Sequence, residues 1–146
     1  MLLTLSWAVP LAAAILLLLV PNADGRRDRA IKMLALVLSV VGFAVSVAIW
    51  ARFDPASADF QMVERVPWIP AFGIDYYVGV DGISLLLIVL TGFLTPIAIL
   101  SSWEGVERKV KEFCVFILAL EAAMIGVFIS LDLFLFYVFW DAMLIP

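Results

Sequence analysis

The chain alternates between long apolar runs and short polar segments. Four of the runs approach or exceed the roughly 20 residues that a helix needs to cross a bilayer. They cover residues 2–20, 31–51, 83–100 and 113–129. A fifth run, residues 133–146, is too short to cross. The pattern therefore predicts an all-α fold, a polytopic transmembrane helical bundle of about five spans with the last one incomplete.

The length of the fifth run bears on where the membrane domain ends. A helix that stops inside the bilayer leaves its last carbonyl groups without hydrogen-bond donors. We therefore interpret residues 1–146 as the N-terminal fragment of one larger membrane domain. The alternative is a fifth segment that is re-entrant or is capped by a partner.

The longest polar connection, residues 52–79, is predicted to contain a β-hairpin. Two β-prone runs, residues 63–69 and 74–78, flank the Pro/Gly-containing segment 70–73. We expect this hairpin to lie on the membrane surface, outside the bundle.

Composition confirms lipid as the solvent and excludes several kinds of site. Hydrophobic residues make up 66% of the chain and charged residues 15%, against about 45–50% and 25% in soluble domains. The absence of histidine excludes histidine-ligated zinc and a bis-histidine haem. A single cysteine excludes an internal disulfide and an iron–sulfur cluster held by this chain alone. The net charge of −4 argues against nucleic-acid binding.

The cations predict the orientation of the spans, because cytoplasmic loops are enriched in lysine and arginine. Seven cations lie in or beside the first and third connections: Arg26, Arg27, Arg29, Lys32, Arg108, Lys109 and Lys111. The long second connection carries only Arg52 and Arg65. We therefore expect the N-terminus and the hairpin to face outward. Trp7, Trp50 and Trp103 lie near span ends and are interpreted as interfacial anchors.

Two acids, Glu121 and Asp141, lie inside apolar runs. Each is ten residues from the turn near Leu131, so at about 1.5 Å per residue both descend about 15 Å, half of the hydrocarbon core. An acid at that depth costs about 2.5–3.5 kcal/mol in insertion scales. A carboxyl in oil binds a proton more readily than one in water, and a nearby lysine reverses this. The pair is therefore a candidate proton relay, and interhelical hydrogen bonding is the structural alternative.

Three further features favour structural roles. Asp132 lies at the turn between the fourth and fifth runs and is predicted to cap the fifth helix. Pro96 is predicted to kink the third span, with a broken, cavity-lining helix as the alternative. Small residues at Ala35, Ser39, Gly42 and Ser46 have the spacing of a close helix contact.

Several segments together resemble one known family. They are residues 78–84 (VGVDGIS), 94–96 (LTP), 121–128 (EAAMIGVF) and 131–146 (LDLFLFYVFWDAMLIP). They are similar to the N-terminal third of the M-type antiporter-like subunits of bacterial proton-pumping NADH–quinone oxidoreductase, respiratory complex I. The resemblance implies a multi-pass protein of the bacterial inner membrane that works beside other membrane subunits, especially neighbouring antiporter-like ones.

The resemblance also implies roles for the two buried acids. Glu121 matches the family's acid on the fourth helix, and Asp141 stands where the family has a glutamate on the fifth. The family pairs that glutamate with a lysine on a later helix, which this chain does not include. NADH, FMN, the iron–sulfur clusters and quinone would be bound by other subunits, with no cofactor on this chain.

Three functions follow as hypotheses. The first is proton translocation as a subunit of NADH–quinone oxidoreductase, coupled to quinone reduction elsewhere in the complex. The second is a subunit of a multisubunit cation/proton antiporter, which would use the same acids. The third is a structural membrane scaffold in which Glu121 and Asp141 only join helices.

Overall fold

The computed structural model describes residues 2–21 and 25–146. Its helices are α1 (Leu2–Leu19), α2 (Asp28–Arg52), α3 (Gly82–Ser101), α4 (Val110–Ile129) and α5 (Leu133–Leu144). Its strands are β1 (Gln61–Ile69) and β2 (Ile74–Val80), joined by a 3₁₀ turn at Pro70–Phe72. Helices α1 to α4 are long and apolar enough to cross a membrane, and α5 is a shorter apolar helix. The predicted helices are confirmed, with their ends shifted by a few residues.

Helix α4 is the centre of the bundle. It contacts each of the other four helices, and half of its apolar window is buried, compared with about a third in α1 to α3. Two apolar clusters pack along it. One surrounds Leu118 towards the α1–α2 connection, and the other surrounds Ile125 and Ile129 towards the hairpin.

Small residues allow the helices to approach closely, because in lipid their association depends on van der Waals packing. The predicted stripe on α2 is buried at all four of its positions, Ala35, Ser39, Gly42 and Ser46. Opposite it on α3, a Cβ atom at Gly92 would lie 2.8 Å from Ser46 Oγ. Any side chain at Gly92 would therefore have to displace the Ser46 hydroxyl, so glycine allows the close contact between α2 and α3.

Helix α3 is continuous through Pro96, so the alternative prediction of a broken helix is wrong. Proline supplies no backbone N–H, which leaves the carbonyl one turn back without its usual helical donor. Two threonine hydroxyls add hydrogen bonds along the same helix. Thr91 donates to Leu87 O at 2.8 Å, and Thr95 donates to Thr91 O at 3.1 Å.

The predicted hairpin is present and is held firmly against the bundle. Strands β1 and β2 are antiparallel, and Gly73 closes the turn at a positive φ of 66°. The turn after α4 pairs with the side of β2, because Leu131 N donates to Tyr77 O at 2.8 Å. From α1, Trp7 Nε1 donates to Tyr76 Oη at 3.0 Å.

Trp7 is therefore more than an interfacial anchor. Its indole also packs edge-on against Phe139 of α5, with 5.3 Å between ring centroids. It joins α1, the hairpin and α5. Trp50, by contrast, is 58% exposed, as an anchor would be.

The opposite end of the bundle brings the first and third connections together. Lys32 Nζ donates to Val106 O at 2.9 Å and also to Trp103 O, and it lies 5.9 Å from the Trp103 ring centroid. The cation-rich connections thus share one end of the bundle, and the hairpin occupies the other. Which of the two ends faces the cytoplasm stays a prediction from the cations.

Candidate functional site

Glu121 is the one charged residue among the buried positions of the described chain, with 1% of its surface exposed. It lies on the central helix α4, eight residues before its end at Ile129. At about 1.5 Å per residue this places it about 12 Å below the hairpin end of the helix. It sits at the boundary between the two apolar clusters. The sequence prediction of a deeply buried acid is met at this position.

The carboxyl of Glu121 is bordered by backbone on one side and by a cleft on the other. On α2, a Cβ atom placed on Gly42 would lie 3.5 Å from Glu121 Oε1, so bare helix backbone faces the carboxyl there. Between α3 and α4 lies a cleft of about 320 Å³, lined mostly by leucine and other apolar side chains. The polar side chains on its wall are Thr91, Thr95 and Glu121.

Neither oxygen of this carboxyl has a hydrogen-bond partner among the described residues. Thr95 of α3 lines the same cleft, but its hydroxyl donates to Thr91 O on its own helix at 3.1 Å. A buried polar group without a partner costs about 1–3 kcal/mol, and an ionised one costs more. An unpaired carboxyl in an apolar bundle is therefore suited to gaining and losing a proton.

Asp141 is placed differently. It lies eight residues after the start of α5, so it has the same depth as Glu121, as the sequence analysis expects. Its side chain is exposed on the described chain. Phe139 and Ala142 are the residues of this part of α5 that face the bundle, where they line a small cavity with Trp7. The structure thus brings the two acids to one level but not into one site.

The third acid of the sequence analysis, Asp132, is confirmed as a helix cap. Its carboxylate accepts hydrogen bonds from the backbone N–H groups of Phe134 at 2.9 Å and Leu135 at 3.2 Å. These are among the N–H groups that a helix start leaves unpaired. Asp132 therefore fixes where α5 begins and is not part of the candidate site.

A second cap, Asp81, was not singled out from the sequence. Its carboxylate accepts a hydrogen bond from Ser84 N at 2.8 Å and begins α3. These backbone donors stabilise the charged form, which holds the pKa of Asp81 below its usual value. The signal was present as Asp-x-x-Ser directly before an apolar run, a spacing typical of a helix start.

Comparison with known proteins identifies the family. The family model described as "NADH-ubiquinone oxidoreductase chain 4, amino terminus" matches residues 28–129, which is more than half of the chain. The chain belongs to this family. The match covers α2, the hairpin, α3 and all of α4, including Glu121, and it ends before Asp141.

Curated relatives of the chain-4 family agree over a longer stretch. The chain is 50% identical over 139 residues to "NADH-quinone oxidoreductase subunit M" of Rhodobacter capsulatus, covering 94% of this chain and 27% of that protein. It is 44% identical over 137 residues to "NADH-ubiquinone oxidoreductase chain 4" of Arabidopsis thaliana, with the same coverage. The chain therefore spans about a quarter of the length of these relatives.

A solved structure shows the same fold. The chain aligns over its full length with 27% of a chain in "Respiratory complex I from Thermus thermophilus with bound NADH", with a TM-score of 0.78 and 24% identity. The chain-4 family membership and this fold together describe a multi-pass helical membrane protein.

Proposed function

We propose that this chain is the N-terminal part of a proton-translocating membrane subunit of NADH–quinone oxidoreductase. The observation that carries the proposal is Glu121, a buried carboxyl without a hydrogen-bond partner at mid-depth in the central helix. On insertion scales, placing such an acid at the centre of a membrane helix costs about 2.5–3.5 kcal/mol of free energy. Family membership supplies the biochemical setting, and the carboxyl supplies a group that can bind the transported proton.

Asp141 is the second proposed relay residue. Because an acid facing hydrocarbon at this depth is costly, the exposed face of α5 requires cover by protein. A cationic side chain on the covering element would favour the ionised form of Asp141 and would pair with it. Its carboxyl is one methylene shorter than the glutamate that the family resemblance implies at this position. The partner must therefore approach the α5 backbone more closely.

The redox chemistry is proposed to lie on other subunits. The described residues contain no group of three or more metal-ligating side chains of the kind that holds a metal ion. We place NADH, FMN, the iron–sulfur clusters and quinone elsewhere in the complex. This chain would then respond to electron transfer through its contacts with neighbouring membrane subunits, especially antiporter-like ones.

The proposed location is the bacterial inner membrane. The end of the bundle that carries Arg108, Lys109 and Lys111 would face the cytoplasm, since cations are enriched there. The hairpin and the N-terminus would face outward. With Cys114 replaced, single cysteines are placed at exposed Phe72 and at exposed Gly105. A membrane-impermeant thiol reagent should modify the first and spare the second in intact cells, and the reverse result would invert the orientation.

The functional test is neutralisation of each acid in the assembled, full-length complex. We expect Asp141→Asn to abolish proton pumping and Glu121→Gln to reduce it, with quinone reduction falling because the two are coupled. Glu112→Gln is the matched control, because Glu112 lies on the same helix but is exposed at its first turn. Wild-type pumping in both acid variants would reject the relay and leave the scaffold hypothesis.

A further inference from the structure

Trp7 of α1 is held in place from the hairpin by a directed series of hydrogen bonds. Thr4 donates its hydroxyl proton to the Glu64 carboxylate. A hydroxyl has one proton to donate, so in the 2.9 Å contact between Thr4 Oγ1 and Tyr76 Oη it is Tyr76 that donates. Tyr76 Oη is then the acceptor for Trp7 Nε1, which donates to it at 3.0 Å. Side chains from both strands of the hairpin therefore set the position of the indole.

The indole meets α5 at Phe139. The two rings pack edge-on, with 5.3 Å between their centroids and an angle of 68° between their planes. The Phe139 ring also lies against Gly126 of α4, where an added Cβ atom would come within 2.5 Å of three of its atoms. Phe139 is therefore fixed by two contacts, one with the α4 backbone and one with Trp7.

Few other contacts fix the second half of α5. Among the described residues of this helix, Leu135 alone is buried, and it lies one turn nearer the start. The Trp7 and Phe139 rings both line a cavity of about 360 Å³ towards the hairpin and another of about 150 Å³ towards α4. Close packing normally limits how far a helix can turn, and here it is incomplete on both sides. The rotation of this part of α5 therefore depends on the ring pair.

The rotation of α5 decides where Asp141 points. An α-helix turns by about 100° per residue, so Asp141, two residues after Phe139, lies about 200° around the helix axis from it. Because Phe139 faces the bundle, Asp141 faces almost directly away from it, and its side chain is exposed. A turn of α5 about its axis would point the carboxyl in another direction.

We propose that Trp7 is the positioning residue for Asp141, because it fixes the rotation of α5 through Phe139 and so directs the carboxyl towards the protein that covers α5. The inference rests on the proposed relay role of Asp141. The indole N–H of Trp7 stays bonded to Tyr76 Oη, so Trp7 itself carries no proton. A residue of the outer hairpin thus acts on the relay through two aromatic rings.

The orientation is tested with a nitrile probe at position 141 in the assembled, full-length complex. In a background without other cysteines, with Cys114 also replaced, Asp141→Cys is cyanylated. The infrared frequency of the nitrile then reports on the surroundings of that side chain. Trp7→Ala should shift the band, because α5 is no longer held at Phe139.

Two tyrosine variants separate this contact from a general effect on the hairpin. Tyr76→Phe should shift the nitrile band in the same direction as Trp7→Ala but by less, because it removes only the acceptor of the indole N–H. Tyr77→Phe is the matched control and should leave the band in place. It removes the same atom from the neighbouring residue of β2, whose ring lies 5.0 Å from the Arg65 guanidinium.

Proton pumping is measured in the same complex with Asp141 retained. Trp7→Ala should lower the rate of coupled pumping by about two- to tenfold, the range over which an aromatic pair shifts an equilibrium. Trp7→Phe should recover part of this loss, because phenylalanine keeps an aromatic edge for Phe139.

The proposal is overturned if Trp7→Ala leaves the nitrile band in place, if Tyr77→Phe shifts it as much as Tyr76→Phe, or if Trp7→Phe pumps no faster than Trp7→Ala. Should Trp7→Ala not assemble, Tyr76→Phe decides, because it removes a single oxygen atom. The nitrile band reports on orientation alone, whereas pumping by Asp141→Asn reports on the relay. Failure of the one is therefore distinguishable from failure of the other.

Discussion

The contact between Gly126 and Phe139 sets how closely α5 can pack on α4. A Cβ atom at Gly126 would lie 2.3 Å from Phe139 Cδ1 and 2.5 Å from two further ring atoms. An ordinary contact is at least 3.4 Å, so Gly126→Ala must displace the ring by about 1 Å. The ring also packs edge-on against Trp7, so its displacement disturbs that ring pair.

The cost of Gly126→Ala can be worked out from these contacts. Overpacking costs about 1–3 kcal/mol, and weakening the ring pair with Trp7 costs up to about 0.5–1.5 kcal/mol. Alanine returns about 1 kcal/mol through its higher helix propensity. We expect a net loss of about 2 kcal/mol, which is a roughly 30-fold increase in the unfolded fraction.

Buried Cys114, on the same helix, provides the assay. Its alkylation in detergent-solubilised protein, mapped to the peptide by mass spectrometry, follows the open population. Labelling should begin at a lower temperature in Gly126→Ala, and Phe139→Leu should relieve the effect in the double variant. Gly82→Ala is the control, because a Cβ there meets nothing within 4 Å. Equal labelling of Gly126→Ala and Gly82→Ala would refute the packing argument.

Three further predictions follow from the caps and from the wall of the Glu121 site. Asp132→Ala should cost about 1 kcal/mol, whereas Asp132→Asn should keep most of the cap; equal loss of thermal stability in both would contradict this. Because the pKa of folded Asp81 is lowered, its stabilising effect is present above its ordinary pKa of about 4 and is lost as the pH falls through the lowered value. The stability difference between wild type and Asp81→Asn should therefore shrink between about pH 6 and about pH 3, and a constant difference would argue against it. Gly42→Ala should assemble normally, because the added methyl group would lie at an ordinary contact distance from Glu121 Oε1. It should slow proton pumping, because it places an apolar group against the carboxyl. Unchanged pumping would show that the backbone surface at Gly42 does not influence the carboxyl.

Much of the fold could be predicted because lipid imposes simple requirements on sequence. Apolar length predicted each span, and the Pro/Gly segment between two β-prone runs predicted the hairpin. Asp132 could be assigned as a cap from its position alone. The contacts of Trp7 could not be predicted, since an indole near a span end looks the same in sequence whether it faces lipid or donates to Tyr76.

The candidate site was predicted only in part. Depth follows from residue count, and so the common level of Glu121 and Asp141 was available from the sequence. The direction of a side chain depends on how the helices rotate against one another. The structure buries Glu121 at the α2–α3–α4 contact and leaves Asp141 on the outer face of α5.

The sequence by itself determined that this chain is a membrane protein, how many helices it forms and at what depth its acids lie. Those properties depend on local hydrophobicity and on the fixed rise of a helix, which each segment carries independently. Only the tertiary structure decided which acid is buried, which glycines allow close contact and which residues line the cleft beside the carboxyl. These depend on helix rotation and packing, which arise between segments far apart along the chain.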